Sequence, residues 1–171
     1  MITSRKSSTV SLVLVVAVVL TVFIGGCSLL EPSSGDGSSP AVQTLTELAR
    51  HYQRGNVQRF VRLVHEDYDD GRSNRADLRY EVSDVLEQYS SIDLTVYGER
   101  VTQNEDDTIV HASWNLRWTC TESAPGCSAG DIVLRRGETS FVFTKGKDAY
   151  KLIGQRSSKL FGSPSPGSIT N

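Results

Sequence analysis

Basic charge is in short supply. With 18 Lys and Arg against 20 Asp and Glu the chain carries a formal charge of −2. That speaks against nucleic acid as a partner, because displacing phosphate counterions calls for a basic surplus. Cysteine is scarce as well: there are three, at 27, 120 and 127, and the later two do not have Cys-x-x-Cys spacing. The three histidines, His51, His65 and His111, have neither zinc-site spacing nor a neighbouring cysteine pair, so no metal and no other cofactor is implied. Long apolar runs are missing apart from one, Val10 to Ile24, which Ser11 and Thr21 interrupt and which falls short of the ~20 residues of a membrane-spanning helix. A multi-span membrane protein is therefore excluded. The remaining composition, 38% hydrophobic over 171 residues, suits one folded domain with appendages.

The apolar run is placed like an export signal. Arg5 and Lys6 form a charged head, the run is the hydrophobic middle, and Ile24-Gly25-Gly26-Cys27 follows. Small residues before a cysteine resemble the bacterial lipobox, although Leu is usual where Ile24 stands and Ala or Ser where Gly25 stands. The resemblance implies that residues 1–26 are a lipoprotein signal peptide and that the Cys27 thiol carries diacylglycerol. An uncleaved anchor and a plain secretory signal are the alternatives. Losing Arg5 and Lys6 leaves 16 basic residues against the same 20 acidic ones, a net of −4. Acyl chains contribute about 0.8 kcal/mol per buried methylene and hold a domain durably on a bilayer. Ser28 is not the Asp that resembles an inner-membrane retention signal. The expected place is thus the bacterial cell envelope, on the outer membrane facing the periplasm if the host is Gram-negative. Residues 27–40, rich in Ser, Gly and Pro, read as lipidated cysteine and tether, and 164–171 as a frayed tail.

Between them, 41–163 has globular patterning. Val42, Leu45, Leu48, Ala49 and Tyr52 share one face of a helix over 41–54, stopped by Gly55. Asn56 caps a second helix with Val57, Phe60, Val61, Val64 and Tyr68 inward, ending at Asp69-Asp70-Gly71. Asn74 caps a third with Leu78, Val82, Val85, Leu86 and Tyr89 inward. From Ile92 the period becomes two: Ile92, Leu94 and Val96, then a turn at Asn104–Asp107, then Val110, Ala112, Trp114, Leu116 and Trp118 on one face. Ile132–Leu134 and Thr139–Thr144 follow, with Gly137 read as a bulge between them. A hairpin turn at Lys145–Asp148 leads to a last strand, Tyr150–Gln155. Helices first and consecutive strands after them predict an α+β domain: three N-terminal helices packed on a curved antiparallel sheet.

This order, with Gly55-Asn56 between the first helices, Glu66-Asp67-Tyr68 after the second and a meander closing on Tyr150-Lys151-Leu152-Ile153, resembles the nuclear-transport-factor-2-like superfamily, also called ketosteroid-isomerase-like or SnoaL-like. The resemblance covers about 41–160 and implies a cystatin-like cone in which the sheet wraps a helix. It implies no one activity, since members include isomerases, dehydratases, binding modules and lipoproteins. The isomerases' tyrosine and aspartate fall near Leu48 and Arg72 here, the wrong chemistry on both counts.

Other chemistry is sparse. His65-Glu66-Asp67-Tyr68-Asp69-Asp70-Gly71 fits no EF-hand register, so it reads as a solvated acidic turn. Cys120 and Cys127 flank a short loop and in an oxidising compartment read as a structural disulfide, a redox pair being the alternative. Arg135-Arg136, Lys145 and Lys147 read as solvated edges that discourage strand aggregation. The candidate pocket is Tyr52, Tyr89, Trp114 and Trp118, which either grip an apolar ligand or simply pack on the helices. The expectation is a membrane-anchored envelope lipoprotein with a non-catalytic small-ligand-binding or protein-interaction domain, its partners the lipid bilayer through Cys27 and an apolar small ligand or an envelope protein. The alternatives are a SnoaL-like enzyme using Asp67, Asp70 or His65 on a hydrophobic substrate, and a structural accessory of a larger envelope complex.

Overall fold

The computed structural model describes residues 39–162. Cys27, the leader, the tether up to residue 38 and the tail from 163 lie outside the described residues. Three helices precede four strands: α1 Pro40–Gln53, α2 Val57–Arg62, α3 Arg75–Gln88, β1 Tyr89–Gln103, β2 Asp107–Cys120, β3 Ile132–Lys145 and β4 Tyr150–Ser157. The strands form one antiparallel sheet in the order β1-β2-β3-β4.

Local chemistry sets the helix ends. Pro40 occupies the first turn of α1, where its missing N–H costs nothing, and Gly55 takes the left-handed conformation that ends it, at φ +66°. The Asn56 side chain accepts from Arg59 N at 3.1 Å. Asn74 and Asp77 form a reciprocal capping box on α3. Helix α1 crosses the sheet: its Thr44 hydroxyl reaches Tyr150 O in β4 at 3.5 Å and its Gln53 amide donates to Leu94 O in β1 at 2.7 Å. The predicted alternation in β2 is seen, with Val110, Ala112, Trp114, Leu116 and Trp118 all buried.

Three boundaries differ from the sequence reading. Helix α2 stops at Arg62, well short of Asp69, because the chain gains other backbone partners. Leu63 O accepts from Leu152 N at 2.9 Å, while His65 N and Asp69 N donate to Leu152 O and Ile153 O at 2.8 and 3.0 Å. Tyr68 is buried all the same, from extended chain beside β4. Tyr89 opens β1 with extended backbone, paired with Cys120, and does not close the third helix. Gly137 is no bulge: β3 runs unbroken through it, opposite Trp114. The irregularities fall at Ser90/Asp93, Gly98/Arg100 and Val142/Phe143. A Cβ at Gly137 would stand 2.6 Å from Trp114 Cζ2, so the missing side chain makes room for an indole ring.

Candidate functional site

Of the four aromatic residues singled out from the sequence, Tyr89, Trp114 and Trp118 lie on the helix-covered face of the sheet and Tyr52 is buried on α1. Tyr89 and Trp118 stack with centroids 4.9 Å apart. Tyr52 lies in a different cluster, 6.2 Å from Phe60 and 5.4 Å from Phe161. Trp114 spans Gly137 and donates through Nε1 to the Thr139 hydroxyl at 2.9 Å. Trp118 Nε1 is buried with no partner. Burial pushes the Tyr52 and Tyr89 hydroxyls above the ordinary tyrosine range, the nearby Arg135 charge opposing it in both. Arg135, read from the sequence as a solvated edge, instead lies half-buried on the same face by its pairing with buried Leu116.

Beside Tyr52, apolar space is taken by the chain itself. After β4 the backbone turns inward and buries Leu160 and Phe161. The Phe161 ring lies 5.0, 5.4 and 5.8 Å from those of Phe60, Tyr52 and Phe141. Gln155 holds this insertion: its Oε1 accepts from Leu160 N and Phe161 N, both at 3.1 Å. The signal in sequence was slight, an apolar pair between the last strand and a Ser/Gly/Pro tail.

Among the acid/base candidates, Asp70 is fully occupied. Lys159 Nζ stands 3.2 Å from Asp70 Oδ2, 2.6 Å from Glu81 Oε2 and 2.7 Å from Ser73 Oγ. Tyr68 OH donates to Asp70 Oδ2 at 3.0 Å and accepts from Gln155 Nε2 at 2.9 Å. Asp70 Oδ1 accepts from Arg72 N at 2.9 Å and Ser73 N at 2.7 Å. Burial alone would push the Asp70 carboxyl up, but those two backbone N–H groups and the Lys159 ammonium outweigh it and hold it below the usual carboxylate range. Tyr68 is pushed up, chiefly by burial. Asp67 is at the surface, and its backbone N–H donates to His65 Nδ1 at 3.2 Å. The acidic stretch is thus a run of side chain-to-backbone turns, with Asp69 Oδ1 also accepting from Gly71 N. Among the described residues no three His, Cys, Asp or Glu side chains gather as a metal site.

Two open clefts are lined by none of Tyr52, Tyr89, Trp114 and Trp118. One, about 400 Å³, is lined by Asp67, Asp69, Asp70, Asp107, Gln155 and Arg156 among others. The other, about 410 Å³, is lined by Val61, Glu66, Arg75, Arg79 and Tyr80 among others. Cys120 and Cys127 are joined by a disulfide.

Among solved structures the chain is similar to a candidate dehydratase of the nuclear-transport-factor-2-like family from Streptomyces avermitilis, with TM-score 0.58 and 14% identity over 71% of this chain and 94% of that one. The fold is the nuclear-transport-factor-2-like fold. A nuclear-transport-factor-2-like superfamily protein from Salmonella enterica serovar Typhimurium aligns at TM-score 0.57 and 9% identity, covering 75% and 92% of the two chains. A candidate scytalone dehydratase from Novosphingobium aromaticivorans aligns at 0.58 and 10%, covering 75% and 93%. No family model and no curated protein matches the sequence. At these identities the likeness concerns the fold.

Proposed function

We propose that this protein is a bacterial envelope lipoprotein, anchored in the bilayer through acylated Cys27, whose nuclear-transport-factor-2-like domain is a non-catalytic interaction module. The observation that supports the second half is the burial of Phe161 among Tyr52, Phe60 and Phe141, which fills apolar space beside Tyr52 that a small ligand could otherwise use. The buried acid, Asp70, supports the same reading, since it is occupied by a lysine, a tyrosine and two backbone donors and is poorly suited to take a proton from a substrate. The anchor is supported by the charged head, apolar run and boxed cysteine falling in register.

Two measurements test this. Metabolic labelling with a fatty-acid probe should mark the wild type and leave Cys27→Ser unmarked; label retained by the variant refutes the anchor. Titration with hydrophobic small molecules should leave tryptophan emission unchanged, whereas saturable quenching that Trp118→Ala abolishes in a folded variant would restore the pocket reading.

A SnoaL-like enzyme is the second reading. It draws on the cleft that brings Asp67 and Asp70 to one opening and on fold relatives named as dehydratases. Turnover of a hydrophobic hydroxy-compound that is lost in Asp67→Asn would favour it.

A further inference from the structure

Strand β3 has two halves with different neighbours. It pairs with β2 along Ile132–Thr144, but β4 covers its other side only from Thr139 to Lys145. Ile132–Glu138 therefore forms an open edge. Among the described residues its backbone receives a hydrogen bond across that edge from the Ser158 hydroxyl, which donates to Glu138 O at its far end. Unpaired strand edges are templates for another strand. The edge is also apolar where it is most open: Leu134 is 73% and Ile132 54% exposed, on the face away from the helices. Its near end is fixed. Cys120 N donates to Asp131 O and Gly130 N to Cys120 O, both at 2.9 Å, next to the Cys120–Cys127 bond. A partner strand would therefore meet an ordered template.

Charge selects the partner. Arg136 shares the outer face with Leu134, and Arg117 stands opposite Leu134 on β2, while Arg135 faces the helix side. Among the described residues none of the three is in an ion pair. Asp93, paired with Arg117, Glu138, and Asp131, whose Oδ2 accepts from Ser128 N, are the acidic groups close by. A second copy paired antiparallel along the whole edge would set Arg135 against Arg135 and Leu134 against Arg136, which is unfavourable on both counts. The chain's own tail, from Ser163, has no acidic residue and carries Pro164 and Pro166, which cannot donate to a ladder.

We infer that the open edge Ile132–Glu138 docks an extended acidic segment of another protein as an added antiparallel strand, an apolar side chain resting on Leu134 and carboxylates meeting Arg135 and Arg136. This rests on the interaction-module reading and specifies the surface and the partner's chemistry.

The test uses the full lipoprotein in detergent and short threonine-rich peptides with Glu-Glu-Val, or Lys-Lys-Val, at their centre, so that in an antiparallel strand the valine meets Leu134 and the two charges meet Arg135 and Arg136. Hydrogen exchange should slow at 132–138 with the glutamate peptide and not with the lysine peptide. Arg136→Gln should weaken binding roughly fivefold, the scale of one well-placed exposed charge pair. Arg136→Glu should shift preference toward the lysine peptide. Equal binding of both peptides, or no slowing at 132–138 with either, overturns the assignment. So does protection that grows with protein concentration without peptide, which would name a second copy, or faster exchange there after removing residues 163–171, which would name the tail. Protection confined to β1 around Tyr97 rejects this edge but keeps the domain an interaction module. Saturable binding of a small hydrophobic molecule behind Trp118 would instead strike at the module reading itself.

Discussion

Gly137 and Trp114 stand opposite each other on β3 and β2, and the indole lies where a Gly137 side chain would be. An alanine there needs no unusual backbone, so its whole effect falls on the ring. Gly137→Ala should cost about 1–3 kcal/mol, the range for overpacking a filled core, and should disturb the Trp114 Nε1 bond to Thr139. Urea unfolding followed by tryptophan emission checks both; wild-type stability with an unchanged spectrum would show that the ring has room to spare.

Removing the Phe161 ring should cost about 3–5 kcal/mol, because Tyr52, Phe60 and Phe141 are held by separate elements and cannot all collapse inward. The cavity left would be apolar and ring-shaped. Phe161→Ala should therefore be stabilised against heat by benzene or indole, which should not stabilise the wild type. Equal response of the two proteins would mean that the site collapses or that the ring is not a plug.

Acid should loosen the clasp around Lys159. The folded-state Asp70 carboxyl lies below its ordinary value, so its contribution to stability is complete above the unfolded value near 3.8 and is lost as pH falls through the lower, folded one. Asp70→Asn should be less stable than wild type at neutral pH by about 1–3 kcal/mol and should lose less stability than wild type on acidification. Parallel losses in the two proteins below pH 4 would assign the acid sensitivity to other carboxylates.

The Cys120–Cys127 bond closes a short loop between β2 and β3. Reduction, or Cys127→Ser, should lower stability by about 2–3 kcal/mol on the loop-entropy account and speed hydrogen exchange through 121–131. Denaturation curves that coincide with and without reductant would show the loop to be held instead by its hydrogen bonds, such as Thr121 Oγ1 to Gln88 O at 2.7 Å.

Period and capping made most of the fold legible. The faces of α1 and β2, the Asn56 and Asn74 caps and the two hairpin turns all follow from side-chain pattern and turn chemistry within a few residues. What stayed hidden depended on contacts far along the chain. Val64 and Tyr68 continue a helical spacing, yet β4 offers the backbone there a ladder that spacing cannot reveal. Gly137 reads from sequence as a bulge because the ring that occupies its side-chain space lies on another strand. The candidate site was legible in part: Tyr89, Trp114 and Trp118 share the helix-covered face of the sheet and Tyr52 packs from α1, while the contacts of Phe161 arise from tertiary packing and carry no local pattern.

The inward turn at Leu160–Phe161 also bears on how the molecule is made. A polypeptide synthesised from its N-terminal end presents α1 early, but the ring that closes the core against α1 emerges only after every strand has passed. Until then Tyr52, Phe60 and Phe141 surround an unfilled space, and this unfinished intermediate, more than the native protein, is the form in need of a chaperone's protection from aggregation.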